Sequence, residues 1–204
     1  ALLSSILVAV IVLGVAETHA TTAAIGFALS AWLAVLSVLT LLRDFAHSKR
    51  NWAVFFAHMG VAILIAGVTA EGLWSKQAEA ELAAGQQFKI GNYQIVLDAQ
   101  TLYRNENYMA KRADISVQNS EGEHIAWLHP EFRFYPISGS TTSEAAIFSR
   151  QLQDIYVVIG ASQTPETAAV RAYIKPMIGW IWFGFILMSL GGIVSIARFL
   201  RRTT

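Results

Sequence analysis

The sequence predicts an α-helical integral membrane protein with four transmembrane helices and one inserted, small β domain. Its 204 residues are 54% hydrophobic and only 14% charged, and the mean hydropathy is +0.45. Ordinary soluble domains carry about 25% charged residues, so the composition favours a membrane protein. Long uncharged segments lie at both ends of the chain, and a polar stretch with strand-like runs lies between them.

The uncharged segments predict the transmembrane helices: Ala1–Ala16, Ala23–Leu42, Trp52–Ala70 and Met177–Ala197. A helix of about 20 residues spans the roughly 30 Å hydrocarbon core, and the last three segments meet that length. The first falls short by a turn or more and begins without Met or a basic flank. We therefore predict that its helix starts upstream and that the sequence is a piece of a longer protein. The alternative, a signal peptide, would need the basic n-region that is missing.

Basic residues in the connections predict the orientation. The connection Arg43–Asn51 carries three Lys or Arg residues and the C-terminal end carries three arginines, whereas Glu17–Thr22 carries none. The connection Arg43–Asn51 and the C-terminal end are therefore both expected in the cytoplasm. The prediction is three helices in residues 1–70, a periplasmic β-rich domain in 71–176, and a last helix with a basic cytoplasmic tail in 177–204.

The polar stretch contains short runs with period-2 alternation, which is typical of half-buried strands. Gly91-Asn92 separates two of them and predicts a hairpin, and Asn119–Glu123 predicts a second turn. Regularly spaced short strands favour a small barrel or half-barrel, for which an OB-like barrel is the candidate. The Ala/Glu-rich stretch Lys76–Ala84 is predicted to continue the third helix or to lie at the membrane surface. The predicted strands are Gln87–Ile90, Tyr93–Ala99, Ala113–Gln118, His124–Leu128 and Ile155–Ile159.

Charge and composition exclude several functions. Lys and Arg number 15 against 14 Asp and Glu, so nucleic-acid binding through bulk positive charge is excluded. The chain has no Cys, which excludes disulfides, thiolate metal sites and a Cys nucleophile. The sequence also contains no P-loop, dinucleotide-binding glycine pattern, nucleophile elbow or zinc-protease motif.

His58 is an ionisable residue within a predicted span. It lies in Trp52–Ala70, about 9 Å along the helix from Trp52 at a rise of 1.5 Å per residue. An ionisable side chain at that depth is costly and should face protein, a cofactor or water. Ala62 and Ala66 follow at i+4 and i+8. The helix face beside the imidazole is therefore flat and admits either a neighbouring helix or a planar macrocycle.

The residues alone leave two interpretations of His58 open. One is an interhelical hydrogen bond, and the other is an axial ligand to a haem iron. A six-coordinate haem needs a second ligand, but His19 and His47 lie in predicted loops at other depths and are expected to be solvated. His124 and His129 are spaced by five, which matches no metal motif, and are expected to be surface or turn residues. Glycines predict close helix packing instead: Gly184 and Gly191 on one face of the last span, with Gly60 and Gly67 on the third.

Several motifs extend over nearly the whole chain: Leu128–Glu131 followed by Arg133–Pro136, Ser143–Ile147, Asp154–Gly160, Val170–Gly192, and Ala57–Gly60 in the third span. Together they resemble CcmF, the membrane subunit of the bacterial cytochrome c haem lyase. The resemblance corresponds to the C-terminal third of that family and includes its NrfE-like relatives, which serve nitrite reductase maturation.

The resemblance implies a role in cytochrome c maturation. CcmF proteins take haem from the haem chaperone CcmE and promote its thioether attachment to an apocytochrome c, which CcmH- and CcmI-type subunits present. They also hold a b-type haem within the inner membrane, thought to reduce the incoming haem, and His58 matches one of its axial ligands. The family's Trp-rich loop is expected elsewhere in the polypeptide, because the six tryptophans here are isolated. This chain alone is therefore not expected to be an enzyme, whereas the complete complex is. The second hypothesis is a membrane-anchored docking module of an assembly complex, without a haem of its own.

Overall fold

The computed structural model describes residues 2–15, 20–46, 51–150 and 152–203. The chain divides into two compact units. The helical unit contains Ala1–Trp74 and Pro176–Thr204, and the β unit contains Ser75–Lys175.

The helical unit contains four described helices: α1 (Leu2–Val15), α2 (Ala20–Ala46), α3 (Trp52–Trp74) and α4 (Ile178–Thr203). Three of them contain segments that are long and apolar enough to cross a membrane: Thr21–Asp44, Trp52–Trp74 and Ile178–Arg201. The membrane prediction is thus confirmed for the last three segments. The first segment is helical over 14 residues, which is shorter than a span, so its transmembrane character stays a prediction.

Glycines allow α3 and α4 to approach until their backbones touch. A Cβ atom added at Gly60 would lie 2.5 Å from the backbone nitrogen of Met188 and 2.6 Å from the carbonyl oxygen of Gly184. A Cβ at Gly191 would lie 2.6 Å from the backbone nitrogen of Ala57. Because lipid is as apolar as the helices, such close van der Waals packing is what holds them together. The close approach predicted from the glycines is confirmed.

The β unit consists of two antiparallel sheets. The first has the strand order β1-β10-β9-β8, and the second has the order β2-β3-β4-β6-β7, with β5 also paired to β4. The strands are β1 (Lys76–Ala83), β2 (Gln87–Ile90), β3 (Tyr93–Arg104), β4 (Met109–Asn119), β5 (His124–Leu128), β6 (Glu131–Tyr135), β7 (Ser140–Glu144), β8 (Ala146–Arg150), β9 (Gln153–Gly160) and β10 (Thr167–Pro176).

The core lies between the two sheets. Leu97 and Ile115 from one sheet and Ile155 and Val157 from the other are all 0% exposed, and they belong to a single apolar cluster. The described strands therefore form a β-sandwich, and the OB-like barrel that we considered is not formed. Period-2 alternation reports only that one face of a strand is buried. Since sandwiches and barrels both bury one face, it does not distinguish them.

The expectation for Lys76–Ala84 was wrong, because β1 occupies Lys76–Ala83. Alanine and glutamate favour helices in isolation, but here the tertiary environment overrides that preference. Ala78, Ala80 and Leu82 pack against the core while the residues between them point away. The strand pairs with β10 along its full length, from Lys76↔Ile174 to Ala83↔Thr167.

The five predicted strands are confirmed, three of them in longer form as β3, β4 and β9. Both predicted turns are also present. Gly91 joins β2 to β3 with a positive φ of 55°, and Gly122 follows β4 with a φ of 83°, conformations that glycine adopts without steric cost. The strands β6, β7, β8 and β10 were not predicted. All five residues of β7 are exposed and polar, so it carries no hydrophobic periodicity.

Candidate functional site

His58 lies in the second turn of α3, and its ring is exposed. Its Nδ1 lies 2.8 Å from the carbonyl oxygen of Val54, four residues earlier in the same helix. A carbonyl oxygen can only accept, so Nδ1 carries the proton and donates it. In the neutral imidazole, the other ring nitrogen, Nε2, is then the one with the lone pair. This is the arrangement usual in metal-binding histidines, whose second nitrogen donates to a backbone carbonyl.

The imidazole lines a groove of about 360 Å³ between α2 and α3. Most of the groove surface is apolar, and its polar lining includes Asp44, near the end of α2, and Asn51, just before the start of α3. The residues along the groove are Leu33, Leu36, Ser37, Thr40, Leu41, Asp44, Asn51, Val54, Phe55 and His58. The volume is at the lower end of the roughly 300–1,000 Å³ range of ligand pockets.

Beyond the level of His58, α2 and α3 contact each other directly, and this contact ends the groove on that side. Ser30 Oγ donates a buried hydrogen bond of 2.8 Å to the carbonyl oxygen of Ala62, one turn beyond His58. Gly26 lies against Thr69, whose Oγ1 would be 2.3 Å from an added Cβ. The flat face predicted beside the imidazole is therefore covered by a neighbouring helix at Ala62, which is 1% exposed, and the space for a ligand is at the level of His58.

Among the described residues, His124 and His129 do not gather with other ligands into a metal site. His19 and His47 lie outside the described residues. His129 Nδ1 lies 2.7 Å from Asp114 Oδ1, and the His124 ring packs on Trp127 with centroids 4.7 Å apart. Both side chains are exposed in the β unit, as expected of surface or turn residues. No group of three or more potential metal ligands occurs within the described ranges.

A polar cluster on β3 and β6 was missed by the sequence analysis. The Tyr103 hydroxyl donates to Glu131 Oε1 at 2.6 Å, and Arg133 Nε donates to Glu131 Oε2 at 2.8 Å. The Arg133 guanidinium also lies 4.6 Å from the centroid of the Tyr108 ring. The alternation of charged and aromatic residues in Glu131–Tyr135 is compatible with a strand, but nothing in it identifies the partner on β3.

The hydrogen bonds of this cluster keep Glu131 ionised. Burial alone would raise the pKa of Glu131, but the hydrogen bonds from Tyr103 and Arg133 outweigh burial and lower it. The same hydrogen bond to Glu131 raises the pKa of Tyr103, so the phenol stays protonated at neutral pH. Neither group is therefore poised to exchange protons near pH 7, and the cluster has the character of a structural clamp between strands.

The β unit of this chain is similar to a known protein family. A family model described as the CcmF C-terminal beta-sandwich matches residues 73–176, a range that covers every strand of the two sheets. The chain belongs to the CcmF family. The resemblance stated from the sequence motifs is thereby confirmed, and the chain corresponds to the C-terminal part of CcmF.

Individual relatives carry names from cytochrome c biogenesis. The cytochrome c-type biogenesis protein CcmF of Pseudomonas aeruginosa is 32% identical over 183 residues, which cover 83% of this chain and 27% of the relative. The cytochrome c-type biogenesis protein ccl1 of Rhodobacter capsulatus is 38% identical over 150 residues, covering 72% and 22%. The probable cytochrome c-type biogenesis protein NrfE of Escherichia coli is 28% identical over 162 residues, covering 79% and 29%.

A solved structure, described as the cytochrome c heme lyase CcmF, has the same fold. It superposes with a TM-score of 0.72 at 18% identity, covering 94% of this chain and 33% of that chain. The match includes the helices as well as the CcmF β-sandwich. The chain thus spans between about a fifth and a third of the length of these CcmF and NrfE proteins.

Proposed function

We propose that this chain is the C-terminal part of the membrane haem lyase of cytochrome c maturation. The complete protein would take haem from a CcmE-type chaperone and promote its covalent attachment to apocytochrome c. The observation that supports this most strongly is the position of His58. In a chain of the CcmF family, an intramembrane imidazole has its Nδ1 held by Val54 and lines an apolar groove.

The donor set fits a b-type haem. Iron in a haem accepts a neutral imidazole as axial ligand, and the hydrogen bond to Val54 fixes the tautomer in which Nε2 is available. When bound, the haem would supply one-electron reduction of the incoming haem. His58 would hold the iron, and Leu33, Leu36 and Phe55 of the groove wall would exclude water from it. The groove of about 360 Å³ would take one edge of the macrocycle, and the rest of the haem would need other parts of CcmF to hold it.

The proposed location is the bacterial inner membrane, with residues 71–176 in the periplasm and the C-terminus in the cytoplasm. Thioether attachment needs haem, chaperone and apocytochrome on one side of the membrane, and the β-sandwich is the polar half of this chain. The β-sandwich would provide a docking surface for the CcmH- and CcmI-type subunits that present the apocytochrome. A docking role suits the domain, because Glu131 of its polar cluster stays ionised and Tyr103 stays protonated at neutral pH, so neither is poised for proton transfer.

The alternative function is a membrane-anchored docking module with no haem of its own. It is favoured by one observation: Nδ1 of His58 already has a hydrogen-bond partner within α3, the carbonyl oxygen of Val54, so a haem is not needed to explain how this polar side chain is accommodated. The two functions differ in haem content, since only the first predicts a b-type spectrum.

Complementation tests the proposed function directly. The complete gene, expressed with its partner subunits in a bacterium lacking its own CcmF, should restore covalent haem attachment to a reporter cytochrome c. Thioether-linked haem survives denaturing electrophoresis and is read by its peroxidase activity. Stable, membrane-inserted protein without any holocytochrome would contradict the proposal.

The orientation is tested with a reporter. A periplasm-dependent reporter fused in the β4–β5 turn near Gly122, which is exposed and has no atom within 4 Å of an added Cβ, should be active. We expect this because Lys and Arg residues are concentrated in the connection Arg43–Asn51 and at the C-terminal end, which predicts that these segments are cytoplasmic and the β unit periplasmic. The matched control is the same reporter at the C-terminus, which should be inactive. The reverse pattern would overturn the topology.

A further inference from the structure

The second sheet extends past the end of the first. Beyond the sandwich core, Lys111 of β4 lies between Leu102 of β3 and Phe132 of β6, and the next row on the same face contains Arg104, Met109 and Phe134. These rows continue the face that carries the buried core of β4. The facing strand β9 ends at Gly160, and β10 begins only at Thr167.

The uncovered end of the sheet is an apolar groove of about 610 Å³. We call it the Leu102 groove; its lining includes Leu102, Arg104, Met109, Lys111, Phe132 and Phe134. Leu102 is 75% exposed, Met109 42% and Phe134 36%. Phe132 packs against the sandwich core, so the groove is continuous with it. Clustered exposed apolar side chains of this size are typical of interaction sites.

The charge of the Leu102 groove is positive, and its lining contains no carboxylate. The surrounding β unit, by contrast, has 11 acidic and nine basic residues. Arg104 makes no ion pair within the described part of the chain. The Lys111 ammonium donates its hydrogen bonds to neutral oxygens, Ser162 Oγ at 3.3 Å, the Pro165 carbonyl at 3.0 Å and the Thr167 carbonyl at 2.5 Å, while Glu81 and Glu166 act on it through space. Its positive charge is therefore not neutralised by a directly bonded carboxylate.

We propose that the Leu102 groove binds a polypeptide segment of a partner protein whose apolar side chains are flanked by carboxylates. The apolar side chains would cover the exposed sheet face, as the first sheet covers the rest of it. The carboxylates would pair with Arg104, while Lys111, whose three N–H groups are already bonded, would contribute its positive charge without a direct hydrogen bond; such complementary charge at a rim favours the correct partner. A polypeptide fits better than a small ligand, because Leu102 at 75% exposure lies on an open face, whereas small-ligand pockets enclose 70–90% of their ligand.

This inference rests on the proposed function, because the partner is expected to be a component of the same maturation complex.

Crosslinking tests the inference in the full-length protein, assembled with its partner subunits in membranes, with the photocrosslinker p-benzoylphenylalanine in place of Leu102. We expect an adduct to one protein of the complex, mapped by mass spectrometry to a segment with large apolar residues next to Asp or Glu. The matched control carries the crosslinker in place of Glu121, an exposed residue in the β4–β5 turn, and should give no such adduct.

Charge variants separate docking from folding. Combined with the crosslinker, Arg104→Glu should lower the adduct yield about fivefold or more, because a like charge then opposes the partner carboxylates. Arg104→Lys should retain most of the yield. Adducts with lipid alone, a mapped segment without carboxylates, no excess over the Glu121 control, or equal yields for Arg104→Glu and Arg104→Lys would each overturn the docking proposal. The b-type spectrum of the same membranes reports the haem function independently, so a lowered adduct yield in Arg104→Glu with an unchanged spectrum supports both proposals.

Discussion

Replacing His58 with Ala in the complete protein should remove its b-type haem or lower its affinity by at least about tenfold, with the chain still inserted in the membrane. The substitution deletes the one imidazole of α3 and introduces neither charge nor bulk. It leaves Ser30 and its hydrogen bond to Ala62 in place, so the helix pair is expected to keep its packing. Haem content per purified protein, from the pyridine haemochrome, measures the effect. Added imidazole should restore part of the haem, since the truncation leaves space beside Val54.

His129→Ala is the matched control for this experiment. It removes an imidazole of the same size from the β unit, where His129 is exposed and hydrogen-bonded to Asp114 at 2.7 Å. Haem content should stay at the wild-type level, although partner binding or domain stability can fall. A His58→Ala protein with full haem content and unchanged axial ligation would contradict the ligand assignment. If His129→Ala lost the haem and His58→Ala did not, the proposed position of the haem beside His58 would be wrong.

Gly60→Ala should cause the second large effect, a loss of the close packing of α3 on α4. The added Cβ would lie 2.5 Å from the backbone nitrogen of Met188 and 2.6 Å from the carbonyl oxygen of Gly184. Backbone atoms cannot rotate away, so the helices must separate. Overpacking of this kind costs about 1–3 kcal/mol or more. The thermal midpoint of the purified full-length protein in a mild detergent measures the loss.

Gly72→Ala provides the control on the same helix. Nothing lies within 4 Å of a Cβ added at Gly72, and alanine is the better helix former by about 0.5–1 kcal/mol. The thermal midpoint of Gly72→Ala should therefore stay the same or rise. Equal midpoints for Gly60→Ala and the wild type would show that contact between the α3 and α4 backbones does not hold this unit together.

The helices could be predicted from the sequence because a long uncharged segment is compatible with few structures other than a helix. Glycine spacing likewise predicted close helix packing at Gly60 and at Gly184, since small residues matter there only by allowing backbones to meet, and the structure shows that the two glycines meet each other. The β unit was harder. Lys76–Ala84 has a composition that favours a helix, yet β1 forms because Ala78 and Leu82 can be buried against β10. Such long-range pairing, here between residues about 90 positions apart, is not encoded in local preference.

The candidate site shows the same division. The depth of His58 in an apolar segment made it a candidate ligand from the sequence alone. The direction of its Nδ1–H toward Val54 and the groove lined by Leu36 and Thr40 depend on the side-chain rotamer and on where α2 crosses α3. The cluster of Tyr103 with Glu131 was invisible for a similar reason, because 28 residues separate the two and only strand register brings them together.

The most direct test of the central claim is a reduced-minus-oxidised absorption spectrum of the complete wild-type complex, purified with its partner subunits. A haem lyase with His58 as an axial ligand predicts the sharp α and β bands of a low-spin b-type haem, with the haem extractable into acidified organic solvent because it is not covalently attached. A fully assembled complex without these bands would contradict the account and would leave the chain as a docking module in the membrane.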